Sequence, residues 1–246
     1  GKRVAIWGYG REGRAALAAL RWRLPGQAVT VFCNEQEAAS LRAMEDPALK
    51  VDTGVVEGDL LAEFEYVIKS PGISPYTSPV VDAQLHGTQF IGGTALWFGE
   101  YPNERTVCVT GTKGKSTVTA LVAHLLRSAG RRTALAGNIG LPLLELLDVD
   151  PPPQYWAIEL SSYQAREAVR PEVAVVLNFY PEHLDWHGTE QRYFDDKMAL
   201  VTQGHPRVAV LNAAEQKLGA LEIPEGTAVS WFNHGDGWHM RDGELY

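Results

Sequence analysis

Two glycine-rich turns constrain the fold of this chain more than any other feature. The first is WGYGREG at residues 7–13, the second is VTGTKGKST at residues 109–117, and each lies between an apolar run and a helical pattern. Further apolar runs of strand length alternate with helical patterns on both sides of a linker-like EYPNER near residue 100. Such alternation is typical of parallel sheets joined by helical crossovers. We therefore predict an α/β chain of two domains, residues 1–100 and 101–246.

The predicted strands are short apolar runs. The tail WHMRDGELY predicts in addition a hairpin with Asp242 and Gly243 at its turn. In the first domain the strands cover 3–8, 29–33, 66–70 and 89–93, and in the second they cover 106–111, 133–138, 155–162, 174–179 and 207–212.

Charge and composition exclude several classes of partner. The 246-residue chain has a formal net charge of -8, which argues against the basic face that nucleic acids or anionic membranes require. No apolar run approaches the roughly 18 residues of a membrane span. The opening GKRVAIWGYG has the pattern of a strand and not of a signal peptide, and Cys33 and Cys108 lie in apolar strand-like runs. We expect free core thiols, a cytoplasmic location and a monomer.

The first glycine-rich turn has the residues of a phosphate-binding turn. Gly8, Gly10 and Gly13 match the pattern Gly-x-Gly-x-x-Gly between a strand and a helix, where backbone N–H groups can face an anion. A dinucleotide site would also have an acid about 20 residues later, at the end of the second strand. Glu35 follows that position, which Asn34 occupies. The pattern favours a nucleotide diphosphate, and a ligand-free turn and NAD remain as alternatives.

The second turn departs from the usual nucleotide loop. In that loop a glycine stands five residues before the Gly-Lys-Ser/Thr triplet. With the triplet at Gly114, Lys115 and Ser116, that position is Val109, and the nearest upstream glycine is Gly111. The strand, glycine, lysine, hydroxyl and helix still follow in order, so Lys115 could reach phosphates and Ser116 could hold Mg²⁺. We predict ATP or GTP binding, with a chance turn as the alternative.

Three further side chains are candidates for the same chemistry. Glu159 ends an apolar strand, where ligands gather in open α/β sheets, although an exposed strand-end acid would look the same. His183 and His187 have the spacing of two zinc ligands on a helix, but no cysteine cluster accompanies them. A histidine satisfied by hydrogen bonds and a histidine that helps to hold Mg²⁺ are the other interpretations. From the residues alone, Lys197 is a solvated helix lysine.

Together these segments resemble the Mur ligase family, the cytoplasmic enzymes that build the peptidoglycan stem peptide. The resemblance is strongest to the branch that adds glutamate to UDP-N-acetylmuramoyl-L-alanine, and the shortened loop is the family's own form. It implies a Rossmann-like UDP-binding domain followed by a P-loop-type ATP-binding central domain. The segments that carry it occur in the family's order: GYGREG, SPGISP (70–75), GTKGKST, GNIG (137–140), ELSSYQ (159–164), LNFYPEHLDWHG (177–188) and YFDDK (193–197).

The resemblance also implies roles for individual residues. The uridine diphosphate would contact Gly10, Arg11, Glu12, Asn34, Ser70, Pro71 and Gly72. The muramoyl-alanyl part would face Asn138, Ser161 and Gln164. ATP would be bound by Gly111, Thr112, Lys113, Gly114, Lys115, Ser116 and Thr117.

The implied cofactors are ATP and two Mg²⁺ ions. Ser116 and Glu159 would hold one ion, and His183 would hold the second together with Lys197, which CO₂ converts to a carbamate. Lys115, His183 and Lys197 would be the catalytic residues. ATP would phosphorylate the alanyl carboxylate, and the amine of glutamate would attack the acyl phosphate and release phosphate, with ADP as the other product. The stretches FIGGTALWF and GTKGKST favour the branch that uses L-glutamate over the D-glutamate branch.

Some features depart from the family pattern. Lys113 stands where the family more often has asparagine, and the segment 231–240 has no assigned role. The adenine-holding helix and the third domain of the family are not in the sequence, so we expect the chain to bind UDP-sugar, to bind ATP weakly and not to ligate. The alternatives are a folylpolyglutamate-synthase-like ligase, a nicotinamide dehydrogenase and a non-catalytic nucleotide-binding protein. The first would lack the N-terminal domain, and the second would leave the GTKGKST loop without a role.

Overall fold

The computed structural model describes residues 2–245 of the chain. It divides into two compact units, the first formed by Gly1–Trp97 with Pro142–Leu147 and the second by Phe98–Leu141 with Asp148–Tyr246. The strands of the two larger sheets pair only in parallel among these residues, so the predicted α/β class is confirmed. The sequence predicts a single boundary near residue 100, and in the structure Pro142–Leu147 clusters with the first unit.

The first unit is built on a five-stranded sheet with the order β3-β2-β1-β4-β5. The strands are β1 (Val4–Trp7), β2 (Val29–Phe32), β3 (Leu49–Asp52), β4 (Tyr66–Lys69) and β5 (Gln89–Ile91). The helices are α1 (Arg11–Arg23), α2 (Glu35–Arg42), α3 (Gly58–Leu61), α4 (Ser78–Leu85) and α5 (Gly93–Glu100), and the residues of α5 are shared between the two units. The order is that of the first five strands of a Rossmann sheet, in which the chain returns to the side of β1 before it continues outward.

Small residues let α1 lie close to the sheet. Ala15 and Ala16 are buried on α1, and Ala5 and Ile6 are buried on β1. At Gly13 a Cβ atom would lie 2.0 Å from the carbonyl oxygen of Gly8, so glycine is required where the helix leaves the turn. Burial of these apolar side chains stabilises the sheet–helix layer by roughly 25 cal/mol for each Å² removed from water.

The second unit contains a six-stranded parallel sheet with the order β11-β10-β9-β6-β8-β7. The strands are β6 (Thr106–Thr110), β7 (Thr133–Gly137), β8 (Tyr155–Glu159), β9 (Val173–Val176), β10 (Val208–Asn212) and β11 (Ala228–Phe232). The helices are α6 (Lys115–Ser128), α7 (Leu184–His187), α8 (Glu190–Thr202) and α9 (Gln216–Gly219). Strand β6 lies between β8 and β9, so the loops after these three strands open at one edge of the sheet.

The chain ends in the predicted hairpin. Strands β12 (Met240–Arg241) and β13 (Glu244–Leu245) pair antiparallel on either side of Asp242 and Gly243, which both have positive φ. Residue 246, the last of the predicted hairpin, lies outside the described residues. Within residues 2–245 no helix has the length and apolarity to cross a membrane, and Cys33 and Cys108 are free thiols.

Candidate functional site

In the first unit the sequence-predicted residues lie at the carboxyl ends of β1, β2 and β4. Gly8 has φ +89, and Gly10 is the N-cap of α1 without a side-chain cap hydrogen bond. The first amides of α1 are therefore not capped by a side chain, and a helix N-terminus of this kind attracts anions. Between β1 and β4 the order in which strands are added to the sheet reverses. Open α/β sheets bind ligands at such a switch point.

The segment after β4 adjoins this turn. The hydroxyl of Ser70 donates to the carbonyl oxygen of Gly8 at 3.1 Å, and the Ser70 amide donates to that of Trp7 at 2.9 Å. Pro71 and Gly72 follow Ser70 directly, so the two segments that the sequence assigned to one ligand lie side by side. On α1, burial raises the pKa of the Glu12 carboxyl, Arg11 opposes this shift and Glu145 adds to it.

Asn34 has a structural role that the sequence analysis missed. Its side-chain oxygen accepts from the amide of Glu37 at 2.8 Å, and the Glu37 carboxylate accepts from the Asn34 amide at 3.3 Å. This capping box begins α2 at the carboxyl end of β2. The signal was present in the sequence, since asparagine followed three residues later by glutamate is a common helix start.

In the second unit the shortened loop forms a tight turn that is closed by a hydrogen bond to its own backbone. Gly111 has φ +148 and Gly114, the N-cap of α6, has φ +82, so both occupy conformations that side chains disfavour. The ammonium of Lys115 donates to the carbonyl oxygen of Thr112 at 2.8 Å. A Cβ atom at Gly111 would lie 2.9 Å from Cβ of Leu177, so the loop packs against the segment after β9.

Asn178 holds this loop in place, a role that sequence reasoning did not assign. Its side-chain oxygen accepts from the amides of Thr112 at 3.1 Å and Lys113 at 2.8 Å, and its amide nitrogen donates to the carbonyl oxygen of Lys113 at 3.0 Å. The hydroxyls of Thr112 and Tyr193 lie 2.7 Å apart, which ties the loop to α8 as well. The exposed Lys113 side chain forms an ion pair with Glu182, whose pKa it lowers.

Glu159 is buried, which excludes the alternative of an exposed strand-end acid. Its side chain is 1% exposed; one oxygen accepts from the hydroxyl of Ser116 at 2.8 Å and the other from the side-chain amide of Asn138 at 3.0 Å. Both donors are neutral and do not balance the charge of the carboxylate. A divalent ion beside Ser116 would balance it, and carboxylate and hydroxyl oxygens are the ligands that Mg²⁺ prefers.

Lys197 is not the solvated helix lysine that its position alone indicates. It is 2% exposed on α8, and its ammonium nitrogen donates to the carbonyl oxygen of Gly111 at 2.8 Å. Burial, with a smaller contribution from the charge of Lys115, lowers the pKa of Lys197 to about 7, and Glu182 acts in the opposite direction. The neighbouring acids, Asp195 and Asp196, contribute little to the pKa of Lys197 because both have other partners. Asp196 pairs with His187 and Arg166, and Asp195 accepts from Gln191.

The two histidines have different environments. His183 is exposed, has φ +56 and is the N-cap of α7, whereas His187 is fully buried. The ring nitrogens of His187 lie 2.7 Å from a carboxylate oxygen of Asp196 and 3.0 Å from the hydroxyl of Ser162. Burial lowers the pKa of His187, and Asp196 opposes this shift. His187 is thus the histidine satisfied by hydrogen bonds, which does not fit the zinc alternative.

The chemistry of the donors decides which metal sites fit. Among the described residues, no three side chains of histidine, cysteine, aspartate or glutamate are grouped as metal ligands. A site that combines His183 with Lys197 therefore fits only if Lys197 becomes an anionic carbamate. Its depressed pKa makes the neutral amine, the form that reacts with CO₂, available near neutral pH.

The remaining candidates follow β8. The hydroxyl of Ser161 donates to the side-chain oxygen of Gln164 at 2.9 Å, and the Ser161 amide reaches the same oxygen at 3.3 Å. Thr117 lies exposed on the first turn of α6. Trp238 in the unassigned segment 231–240 is 63% exposed.

Comparisons with known proteins identify the family and the fold. Residues 109–233 match the family model described as "Mur ligase middle domain". The chain is 59% identical over 255 residues to a UDP-N-acetylmuramoyl-L-alanine--L-glutamate ligase of Xanthomonas euvesicatoria, covering 100% of this chain and 54% of that protein. It is 55% identical to the protein of the same name from Xylella fastidiosa strain 9a5c, again covering 54% of it. The chain spans about half the length of the curated relatives it matches.

A solved structure shares the fold. The UDP-N-acetylmuramate:L-alanyl-gamma-D-glutamyl-meso-diaminopimelate ligase of Neisseria meningitides is 22% identical, with a TM-score of 0.59. The comparison covers 99% of this chain and 85% of that one. At this identity the likeness supports the fold and not a particular substrate.

Proposed function

Because the chain belongs to the Mur ligase family, we propose that it is the nucleotide-binding part of an ATP-dependent ligase that adds glutamate to UDP-N-acetylmuramoyl-L-alanine. The observation that carries the proposal is the buried Glu159 hydrogen-bonded to Ser116 beside the shortened glycine loop. The names of the relatives at 55–59% identity support L-glutamate over D-glutamate.

ATP would be bound at residues 111–117. The loop amides and the N-terminus of α6 would face the phosphates, and Lys115 would exchange its bond to the carbonyl oxygen of Thr112 for a bond to a phosphate oxygen. The first step brings two anions together, the alanyl carboxylate and ATP. Preorganised donors of this kind lower the barrier to such a step by about 3–4 kcal/mol each.

The metal-binding residues would be Ser116 and Glu159 for one Mg²⁺, and His183 with carbamylated Lys197 for the other. When bound, the ions would supply positive charge that offsets the repulsion between the two anions. The neutral amine of Lys197 would attack CO₂, form a C–N bond and lose a proton, which leaves a carbamate anion. The burial of Lys197 against the carbonyl of Gly111 and the ring of Tyr193 keeps that amine out of water.

The UDP-sugar would lie on the first unit. The amides of Gly10, Arg11 and Glu12 would face its diphosphate, Asn34 would lie near the uracil, and Ser70, Pro71 and Gly72 would form the opposite wall. Asn138, Ser161 and Gln164 of the second unit would face the muramoyl-alanyl part. A monomer in the cytoplasm, where ATP is abundant and Cys33 and Cys108 stay reduced, completes the proposal.

Calorimetric titration of the chain with UDP, Mg-ATP and NAD tests the binding part of the proposal. We expect binding of UDP and Mg-ATP and no binding of NAD. Lys115→Ala is expected to weaken the binding of Mg-ATP and to leave the binding of UDP unchanged. Each unit therefore serves as the control for the other. Binding of NAD without Mg-ATP would favour the dehydrogenase and refute the proposal.

Ligation requires a separate assay on the protein at the length of its curated relatives. Formation of ADP is measured with UDP-N-acetylmuramoyl-L-alanine and either enantiomer of glutamate. We expect turnover with L-glutamate to exceed that with D-glutamate, and loss of turnover in Lys115→Ala. Nucleotide binding without turnover for either enantiomer would instead indicate a non-catalytic nucleotide-binding protein.

A further inference from the structure

We propose that Ser162, His187 and Asp196 form a buried positioning chain that sets the geometry of the proposed metal ligands. The inference rests on the proposed function, because it concerns the carbamate of Lys197 and the metal ion beside it. It assigns a role to three side chains that neither the family resemblance nor the phosphate chemistry uses.

The geometry fixes the direction of each hydrogen bond. Asp196 is 0% exposed, and Arg166 forms an ion pair with its Oδ1, so the carboxylate accepts through Oδ2 from Nδ1–H of His187 at 2.7 Å. With the proton on Nδ1, the other ring nitrogen of His187 accepts from the hydroxyl of Ser162 at 3.0 Å. The three side chains are 0–3% exposed, so water does not compete for these bonds.

The connectivity is that of a hydrolytic triad, but the burial argues against nucleophilic catalysis. Ser162 is 3% exposed, and its neighbours include the ring of Tyr163, which stacks on Trp186 with centroids 4.4 Å apart. A substrate carbonyl has no route to the serine oxygen in this arrangement. The positioning chain is therefore suited to hold structural elements together and not to attack a substrate.

Each member of the positioning chain lies within a few residues of a proposed metal ligand in the sequence. Ser162 follows Glu159 by three residues in the loop after β8. His187 ends the short α7 that begins after His183. Asp196 directly precedes Lys197 on α8. The loop after β8, α7 and α8 are thus joined by two buried hydrogen bonds, which span 25 and 9 residues of the sequence.

The consequence concerns the direction of α8. Lys197 reaches the carbonyl oxygen of Gly111 only in one rotation of the helix, and the pairing of Asp196 with His187 opposes any other rotation. Removing a buried partner leaves the other group unsatisfied, which costs more than the bond itself. Groups that hydrogen-bond to metal ligands typically change metal affinity 10–100-fold when they are removed, and for groups that hold the ligands' neighbouring segments we expect the lower end of this range.

The test measures the Lys197 carbamate directly. The 246-residue chain is equilibrated with ¹³C-bicarbonate, and its carbamate signal is recorded by ¹³C NMR with Lys197→Ala as the zero reference. Mn²⁺ is then titrated, because a paramagnetic ion bound at the carbamate broadens the carbamate signal. We expect His187→Ala and Ser162→Ala to weaken Mn²⁺ binding at this site by about tenfold or more.

Rescue and control variants separate positioning from general destabilisation. His187→Asn places an amide near the position of Nδ1, keeps the donor to Asp196, and is expected to recover part of the Mn²⁺ affinity. Trp156→Phe removes a part-buried hydrogen bond to Glu104 at the opposite end of β8 and is expected to leave the carbamate signal and the Mn²⁺ affinity unchanged. Melting temperatures are recorded for all variants.

The outcomes are distinguishable. A carbamate signal in the wild type that keeps its intensity and Mn²⁺ affinity in Ser162→Ala and in a folded His187→Ala refutes the positioning chain and leaves the proposed function intact. A wild type without any carbamate signal refutes the second metal site and the inference with it. If His187→Ala does not fold, Ser162→Ala, which retains the His187–Asp196 pair, decides the question.

Discussion

Lys197→Met is the substitution with the clearest expected signature. The methionine side chain has similar length, packs in the same buried space and has no proton to exchange. In the wild type the pKa of Lys197 falls from 10.5 in the unfolded chain to about 7 in the folded chain, mainly because burial removes water from the ammonium. The difference in unfolding free energy between the two proteins therefore depends on pH.

The sign follows from the protons bound. Between pH 7 and 10.5 the unfolded wild type holds a proton on Lys197 that the folded wild type has lost, so the stability of the wild type rises with pH in this window. Below about pH 7 and above 10.5 the folded and unfolded states hold equal numbers of protons on Lys197. The contribution of Lys197 to the unfolding free energy is therefore constant there. The full slope is about 1.4 kcal/mol for each pH unit, and at pH 7 only half of the folded molecules have lost the proton, so the wild type gains roughly 2 kcal/mol relative to Lys197→Met from pH 7 to 9.

Urea unfolding of both proteins, in CO₂-free buffer with a chelator, measures this difference. The first unit is identical in the two proteins, so its transition cancels in the comparison. Lys217→Met, which removes an exposed lysine of the same unit, serves as the matched control and is expected to give a difference that does not change over this range. If the difference in unfolding free energy between the wild type and Lys197→Met also does not change with pH, the claim that burial keeps the amine neutral is refuted.

Three further substitutions test individual contacts. Gly137→Ala would place a Cβ atom 2.2 Å from the backbone oxygen of Glu159 at φ +95, and we expect a loss of at least 2 kcal/mol in urea unfolding together with weaker Mg-ATP binding by calorimetry. Asn178→Ala removes the side-chain acceptor that two loop amides share and leaves the Thr112 amide its bond to the backbone oxygen of residue 178, and it should raise the Kd for Mg-ATP by about tenfold without changing UDP binding. Gly13→Ala puts a Cβ atom 2.0 Å from the oxygen of Gly8 and should abolish UDP binding while Mg-ATP binding persists.

The parts of the site that the sequence predicted depend on local patterns. A strand, a glycine, a lysine and a helix in succession place Lys115 and Ser116 whatever the rest of the chain does. The rule that strand ends collect at one edge of a parallel sheet then brings Glu159 to Ser116, and the structure has their side chains 2.8 Å apart.

The parts that the sequence did not predict depend on packing between distant segments. Lys197 is solvated or buried according to which face of α8 meets the sheet, and nothing in YFDDK alone decides this. Asn178 was visible in LNFYPEHLDWHG, but its partners are loop amides 65 and 66 residues away. Strands β3 and β11 were missed because both lie at sheet edges, where LKVD and AVSWF are only partly buried.

The charge on Lys197 connects these observations. A cationic Lys197 near Lys115 would place two like charges in a region that is almost free of water, which is costly at low dielectric. Neutralisation removes that cost, and the proposed carbamylation would go further, since it would replace a cation by an anion near the loop lysine. The burial that depresses the pKa of Lys197 therefore favours the neutral amine, which is the form that reacts with CO₂. A solvated lysine at this position would keep its proton and would not react in this way.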